Sequence, residues 1–282
     1  MSKKQAKTII PSWAMAPFHR FMAQSGRLWE VTRLTCLGLT AIQTYPKGLK
    51  KALETIARYD EKYDSEKDSP KHEEQLKRAK KDSKLAENEI NAGFPLVYSN
   101  AIVTLWSLLE AMTRSMVVAW LKNERSSFQG DSINRLRIRI GDYEQLTEAE
   151  RHHYIAELLE TDVAAGLRYG IDRFEALLKP IGLDGAAPEK LRRNIFEFGQ
   201  VRNAIAHRGG TTDRQLSNAC PWLNFPIGEE LPIIREHFDR YWEASLNYLI
   251  LLVSRSATRF GGDSTKDIQE VFDKYDSRKE GF

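Results

Sequence analysis

Apolar positions recur at three- and four-residue intervals along most of the chain, and this pattern predicts an all-α protein. Residues 1–15 have no period and read as an irregular arm. From Phe18 to about Gln43, the positions of Phe21, Leu28, Trp29, Val31, Leu34 and Leu37 predict one or two helices. Gly26 and Gly38 are weak points there, and Pro46 is a stop. The helical period resumes from Leu49 to Tyr63. Pro95 opens a long helix to about Lys122 whose apolar residues, among them Ile102, Leu105, Trp106, Leu109, Met112, Met116 and Trp120, cover most of its circumference. That distribution predicts the central core helix. Thr147, with Glu150 three positions later, forms a capping box for a helix to about Glu160. Val163 to Leu178 predicts another, ended by Pro180, and Pro188 opens a further helix as a first-turn proline. Thr211 to Pro232, rich in proline, is irregular and lies beside that helix as a candidate lid. Leu231 to Arg259 is helical again, and the charged tail beyond Gly261 is expected to fray.

Three stretches depart from this pattern. Residues 64–84 are nearly devoid of apolar side chains; they read as a solvated linker or exposed helix face, or else as an RNA-contacting patch through Lys77, Arg78, Lys80 and Lys81. Between Ile133 and Ile140, Arg135, Arg137 and Arg139 alternate with Leu136, Ile138 and Ile140. This period of two fits a short strand or extended arm that is either a solvated edge or a grip on phosphates. His152 and His153 are adjacent, so their directions diverge on a helix, and they read as surface histidines and not as a metal site.

The most informative stretch is Arg202-Asn203-Ala204-Ile205-Ala206-His207, at the end of the helix that Pro188 opens. Leu191, Ile195, Phe198 and Ile205 set the apolar stripe of that helix, and Arg202 falls inside it, where an unpaired charge is costly. Asn203 and His207 are four apart and share a face, so the amide is placed to orient the ring. His207 lies about 140° round the helix from Arg202. Three arrangements reconcile that angle with joint action: a long Arg side chain reaching round, a loosened last turn, or a meeting across a two-fold interface. A plainer account reads Arg202 and His207 as cations at a helix C-terminus and Gly209 as the residue that ends it. Glu110, embedded in the core helix, is either a paired core carboxylate or a support for the site.

Composition narrows the classes. With 282 residues, 41% hydrophobic and 29% charged, the chain is long enough for a substantial core, and its net charge of +3 is compatible with nucleic acid without requiring it. Cys36 and Cys220 lack metal-ligand spacing, which points away from zinc ribbons and disulfide scaffolds. The longest apolar run, Tyr248 to Val253, is too short to span a bilayer, so the expectation is a cytoplasmic protein with no membrane partner. No sequence feature calls for a cofactor or a metal.

The hexapeptide resembles the signature of the HEPN superfamily, in which Arg, a polar residue, a short spacer and His stand near the end of a bundle helix. The segment Ser99 to Glu110 is similar to the long first core helix of that superfamily. The resemblance covers residues 91 to 262 and is specific only at the hexapeptide. It implies a HEPN-like helical bundle over 91–262, with 1–90 as an N-terminal arm and helical extension and 263–282 as a charged C-terminal tail. Many members are metal-independent endoribonucleases, acting as toxins or phage-defence effectors, in which two copies of the motif build one cleft. Others have lost catalysis and serve as interaction or nucleotide-binding modules. Carried over, His207 transfers protons, Arg202 contacts the phosphate, Asn203 orients or touches substrate, and Glu110 supports them. The expected partners are an RNA substrate, a second copy in a homodimer, and an antitoxin or defence-system component. One subfamily paired with nucleotidyltransferase antitoxins carries Tyr two positions after the His; Gly209 stands there in this chain, which argues against that partnership.

Overall fold

The computed structural model describes residues 10–63, 69–129, 131–166 and 169–276, and among them the protein is all-α, with one isolated bridge between Thr211 and Glu230. The chain begins with α1 (Ser12–Tyr63) and α2 (Ser69–Asn91), which pack against each other, followed by α3 (Pro95–Asn123). Short helices α4 (Asp131–Asn134) and α5 (Ile140–Glu144) lead to α6 (Glu148–Ala165) and α7 (Ile171–Leu178). Then come α8 (Glu189–His207), α9 (Arg214–Ala219), α10 (Arg235–Arg259) and α11 (Thr265–Asp276).

The helix α3 is central, and α1, α6, α7, α8 and α10 all pack against it. Its periodicity predicted this: Ile102, Leu105, Leu109, Met116, Val117 and Trp120 are buried on a helix with few polar positions. Trp106 meets Phe198 edge-on at 4.9 Å and Phe174 at 5.4 Å, joining α3 to α8 and α7. By length and composition α3 is also apolar enough to cross a membrane, although the reading of the sequence found no such segment. Half of its most apolar 18-residue stretch is buried inside the bundle, and the packing accounts for its apolar character.

The irregular arm and the stop at Pro46 are corrected by α1. Residues 1–9 lie outside the described residues, but the helix is already formed from Ser12 and continues through both Pro17 and Pro46. An internal proline removes one helical hydrogen bond and costs about 3 kcal/mol. Here α1 is held against α2 beside the proline, where Ser83 Oγ donates to the Gln43 carbonyl at 2.8 Å. Ala79 and Ala86, both buried, let the two backbones approach. At the other end of α1, Ala14, Phe18 and Phe21 are buried in the same core as α3, so the N-terminal helix and the bundle share one interior.

Other boundaries also move. The capping box at Thr147 is present, with Thr147 N donating to Glu150 Oε2 at 2.8 Å. The helix expected from Val163 to Leu178 is instead the end of α6 and, after a turn, α7. Gly170 at φ 57 makes that turn, and a Cβ there would lie 2.7 Å from the Phe196 backbone. No strand forms at 133–140: 136–139 is a connector that enters α5, with Arg135, Arg137 and Arg139 exposed and Ile138 and Ile140 exposed as well. Of the apolar positions in the alternation only Leu136 packs, half-buried, against the core. Beyond Gly261, the expected frayed tail is helical over Thr265–Asp276, because Val271 and Tyr275 bury themselves against the bundle and Lys274 pairs with Glu243 at 3.0 Å. Residues 277–282 lie outside the described residues.

Candidate functional site

The helix that carries the motif is fixed from both ends. Pro188 occupies the N-cap and Glu189 stands in the first turn, where a negative charge is favoured. Leu191, Ile195, Phe198, Val201 and Ala204, spaced three and four apart, are all fully buried. At the C-terminus, Gly209 (φ 67) and Gly210 (φ 71) take left-handed conformations in succession, and Gly210 N returns to the Ala204 carbonyl at 3.1 Å. His207 is thus the last helical residue, and its ring is exposed.

Of the three arrangements for Arg202 and His207, the long side chain reaching round within one helix is the one observed. Arg202 Nη1 lies 3.4 Å from His207 Nε2, and α8 keeps its helical form through His207. A guanidinium has only donors, so the contact suits a neutral ring with its proton on Nδ1 and its lone pair on Nε2. Asn203 does something different from what its spacing suggested. Its Oδ1 accepts from Arg202 Nη1 at 3.0 Å, so the amide holds the guanidinium and not the ring.

The cost of a cation on the apolar stripe is met by Glu110. Its Oε2 faces Arg202 Nη2 at 3.5 Å, a distance that is long for a hydrogen bond and better described as charge pairing, and its Oε1 accepts from Arg173 Nη1 at 3.0 Å. Glu110 is therefore both a paired core carboxylate and a neighbour of the motif. Arg202 Nε is buried with no hydrogen-bond partner among the described residues. Beside this cluster Arg114 pairs with Glu160 at 2.6 Å, and the space between Glu110, Glu160, Arg173 and Leu177 amounts to about 10 Å³, room for a water at most. At the motif itself His207 is exposed and Arg202 half-buried.

The basic residues proposed for RNA contact are not part of this cluster, which is built by α3, α7 and α8. Lys77, Arg78, Lys80 and Lys81 are exposed on α2, and Arg135, Arg137 and Arg139 are exposed around the connector between α4 and α5. His152 and His153 diverge as their adjacency requires, His152 half-buried against the Phe128 ring and His153 exposed. Among the described residues no group of three or more His, Cys, Asp or Glu converges as metal ligands would.

Glu197, five positions before Arg202, escaped the reading of the sequence. It is buried on α8 and accepts from Trp222 Nε1, from Arg240 Nη2 and from Tyr241 Oη at 2.8 Å. Burial, followed by the Glu197 carboxylate, pushes the Tyr241 hydroxyl well above its ordinary pKa. Arg193 stacks over the Trp222 ring at 4.0 Å. These contacts pin the segment after Gly210, which also buries Thr212, Leu216 and Cys220; it is a packed cover on α8, not a free lid. The available signal was the same one that marked Glu110: an acidic residue next to an apolar stripe. Burial pushes the Cys220 thiol up to about 12, which disfavours its thiolate. His237 is structural, its Nδ1 accepting from Ile234 N at 3.3 Å at the start of α10.

Comparison of the chain with models of protein families, with curated proteins and with solved structures finds no match, so the likeness to HEPN proteins rests on the hexapeptide and its setting.

Proposed function

We propose that the protein is a metal-independent endoribonuclease of the HEPN type, cleaving single-stranded or looped RNA as a homodimer and serving as a toxin or phage-defence effector in the cytoplasm. The observation that carries this reading is the pairing of an exposed imidazole, His207, with a guanidinium anchored from behind, Arg202, at 3.4 Å. Flexible RNA lets a 2'-hydroxyl align with its own phosphate, which rigid A-form geometry resists. In the proposed reaction the 2'-oxygen attacks phosphorus as its proton passes to an imidazole, the bond from phosphorus to the 5'-oxygen breaks, and a second imidazole protonates the departing oxygen. Arg202 stabilises the charge on the phosphate oxygens; an arriving phosphate competes with the His207 ring for its Nη1 hydrogen. The products are a 2',3'-cyclic phosphate and a 5'-hydroxyl. One His207 supplies one of the two proton transfers, and a twin copy supplies the other. An exposed ring at a helix end suits a cleft completed by that copy.

The test is cleavage of total RNA by purified protein in excess EDTA, beside His207→Ala and Arg202→Ala proteins of unchanged circular dichroism. Cleavage by the wild type alone supports the reading. RNA bound but left intact by the wild type would instead assign the surface to a non-catalytic module.

A further inference from the structure

We propose that Arg173, on α7 and outside the motif, is a positioning residue that keeps the Arg202 guanidinium free to receive a phosphate. Its effect on cleavage rests on the nuclease reading; its effect on geometry does not. Four polar side chains follow one another in contact: His207, Arg202, Glu110 and Arg173. Arg202 Nη1 lies 3.4 Å from His207 Nε2, Arg202 Nη2 lies 3.5 Å from Glu110 Oε2, and Arg173 Nη1 donates to Glu110 Oε1 at 3.0 Å. Glu110 thus serves two cations, one on each oxygen, and its closer hydrogen bond goes to Arg173 and not to the motif.

A carboxylate and a single guanidinium cancel in charge and favour a close geometry with two parallel hydrogen bonds. Left alone with Arg202, Glu110 would draw it into that arrangement, sum with it to zero and turn its donors away from His207. Arg173 prevents this by occupying Oε1. It also raises the three ionised side chains to one net positive charge, which is the charge that a phosphodiester neutralises. Arg114, one turn beyond Glu110 on α3, does not substitute for it, because Arg114 is committed to Glu160 at 2.6 Å. The place of Arg173 is itself fixed: Gly170 turns the chain into α7, and Ile171, Phe174 and Leu178 bury the neighbouring face of that helix.

Arg173→Ala, at a side chain 36% exposed, is expected to keep the circular dichroism, and Arg173→Gln, neutral but space-filling, to behave alike. In crystal structures of these variants Arg202 closes on Glu110 to direct hydrogen-bond distance and leaves His207. An Arg202 that stays where it is overturns the proposal, whether or not the protein cuts RNA. On a cleaved oligoribonucleotide in EDTA, kcat falls at least about tenfold while KM changes less than about threefold, because Arg202 acts on charge that grows in the transition state. Arg173→Lys, which keeps the cation beside Glu110, retains most of kcat. Glu110→Gln added to Arg173→Ala removes the charge that captures Arg202 and restores kcat at least about fivefold, a coupling that independent residues do not show. A raised KM with unchanged kcat would make Arg173 a direct RNA contact, and a double variant no better than Arg173→Ala would make its role structural; either result overturns the proposal. A wild type that leaves RNA intact counts against the nuclease reading alone, and the crystal structures then decide the role of Arg173.

Discussion

Glu110 and Arg202 stand 92 positions apart in the chain, yet they share an ion pair at 3.5 Å in which each side chain is only about a fifth exposed. The pair explains how a helix otherwise packed by its apolar stripe tolerates a cation there. It also fixes the direction from which the guanidinium approaches His207.

Glu110→Gln removes the charge and keeps the shape, leaving Arg202 and Arg173 with a neutral partner. Because the group is partly solvated, the expected loss is about 1–2 kcal/mol in urea unfolding, below the cost of breaking a fully buried pair. A double-mutant cycle with Arg202→Gln should show coupling of at least about 0.5 kcal/mol. Additive losses would mean that the two side chains act independently.

Gly199 sits one turn before Arg202, and a Cβ there would lie 2.9 Å from the Trp106 ring. Gly199→Ala therefore forces α8 away from α3 or turns the indole. The expected cost is about 1–3 kcal/mol, the usual range for an overpacked core. Thermal unfolding reads the loss directly, and Trp106→Phe in the same background should recover part of it.

Much of this architecture was legible in the chain. The wide apolar circumference of α3, the capping box at Thr147 and the glycines after His207 are local signals, and each gave the right element. What failed depended on partners distant in sequence. Pro46 reads as a stop until α2 supplies Ser83 beside it, and the charged tail reads as frayed until Val271 and Tyr275 find the bundle. At the site, spacing correctly marked Arg202 as a cation needing an explanation. It misjudged Asn203 because i,i+4 geometry favours the ring, whereas the flexible guanidinium of the adjacent residue took the amide oxygen first. Glu197 was missed because its three donors come from α10 and from the irregular segment, neither adjacent in sequence.

The pKa of His237 is lowered, first by burial and then by the Arg240 charge. Its folded value lies below its unfolded one, so the unfolded chain binds the proton more readily at mildly acidic pH. The stability from the neutral ring is complete above the unfolded pKa, about 6.5, and is lost as pH falls below it towards the folded value. Melting temperatures taken at pH 7.5 and 5.5 should fall on acidification, and His237→Asn, which keeps an acceptor for Ile234 N, should flatten that part of the profile. An unchanged slope in the variant would assign the acid sensitivity to other groups.

In the proposed reaction His207 and Arg202 act on a phosphate through the neighbouring 2'-hydroxyl. The most direct measurement uses a single-stranded oligoribonucleotide that the protein cuts in EDTA and the same oligonucleotide with one 2'-deoxy sugar at the mapped position. Wild-type protein is predicted to leave a 2',3'-cyclic phosphate and a 5'-hydroxyl on the first and to spare that position in the second, while the His207→Ala protein cuts neither. Cleavage at the deoxy position, or cleavage that survives His207→Ala, would contradict the account.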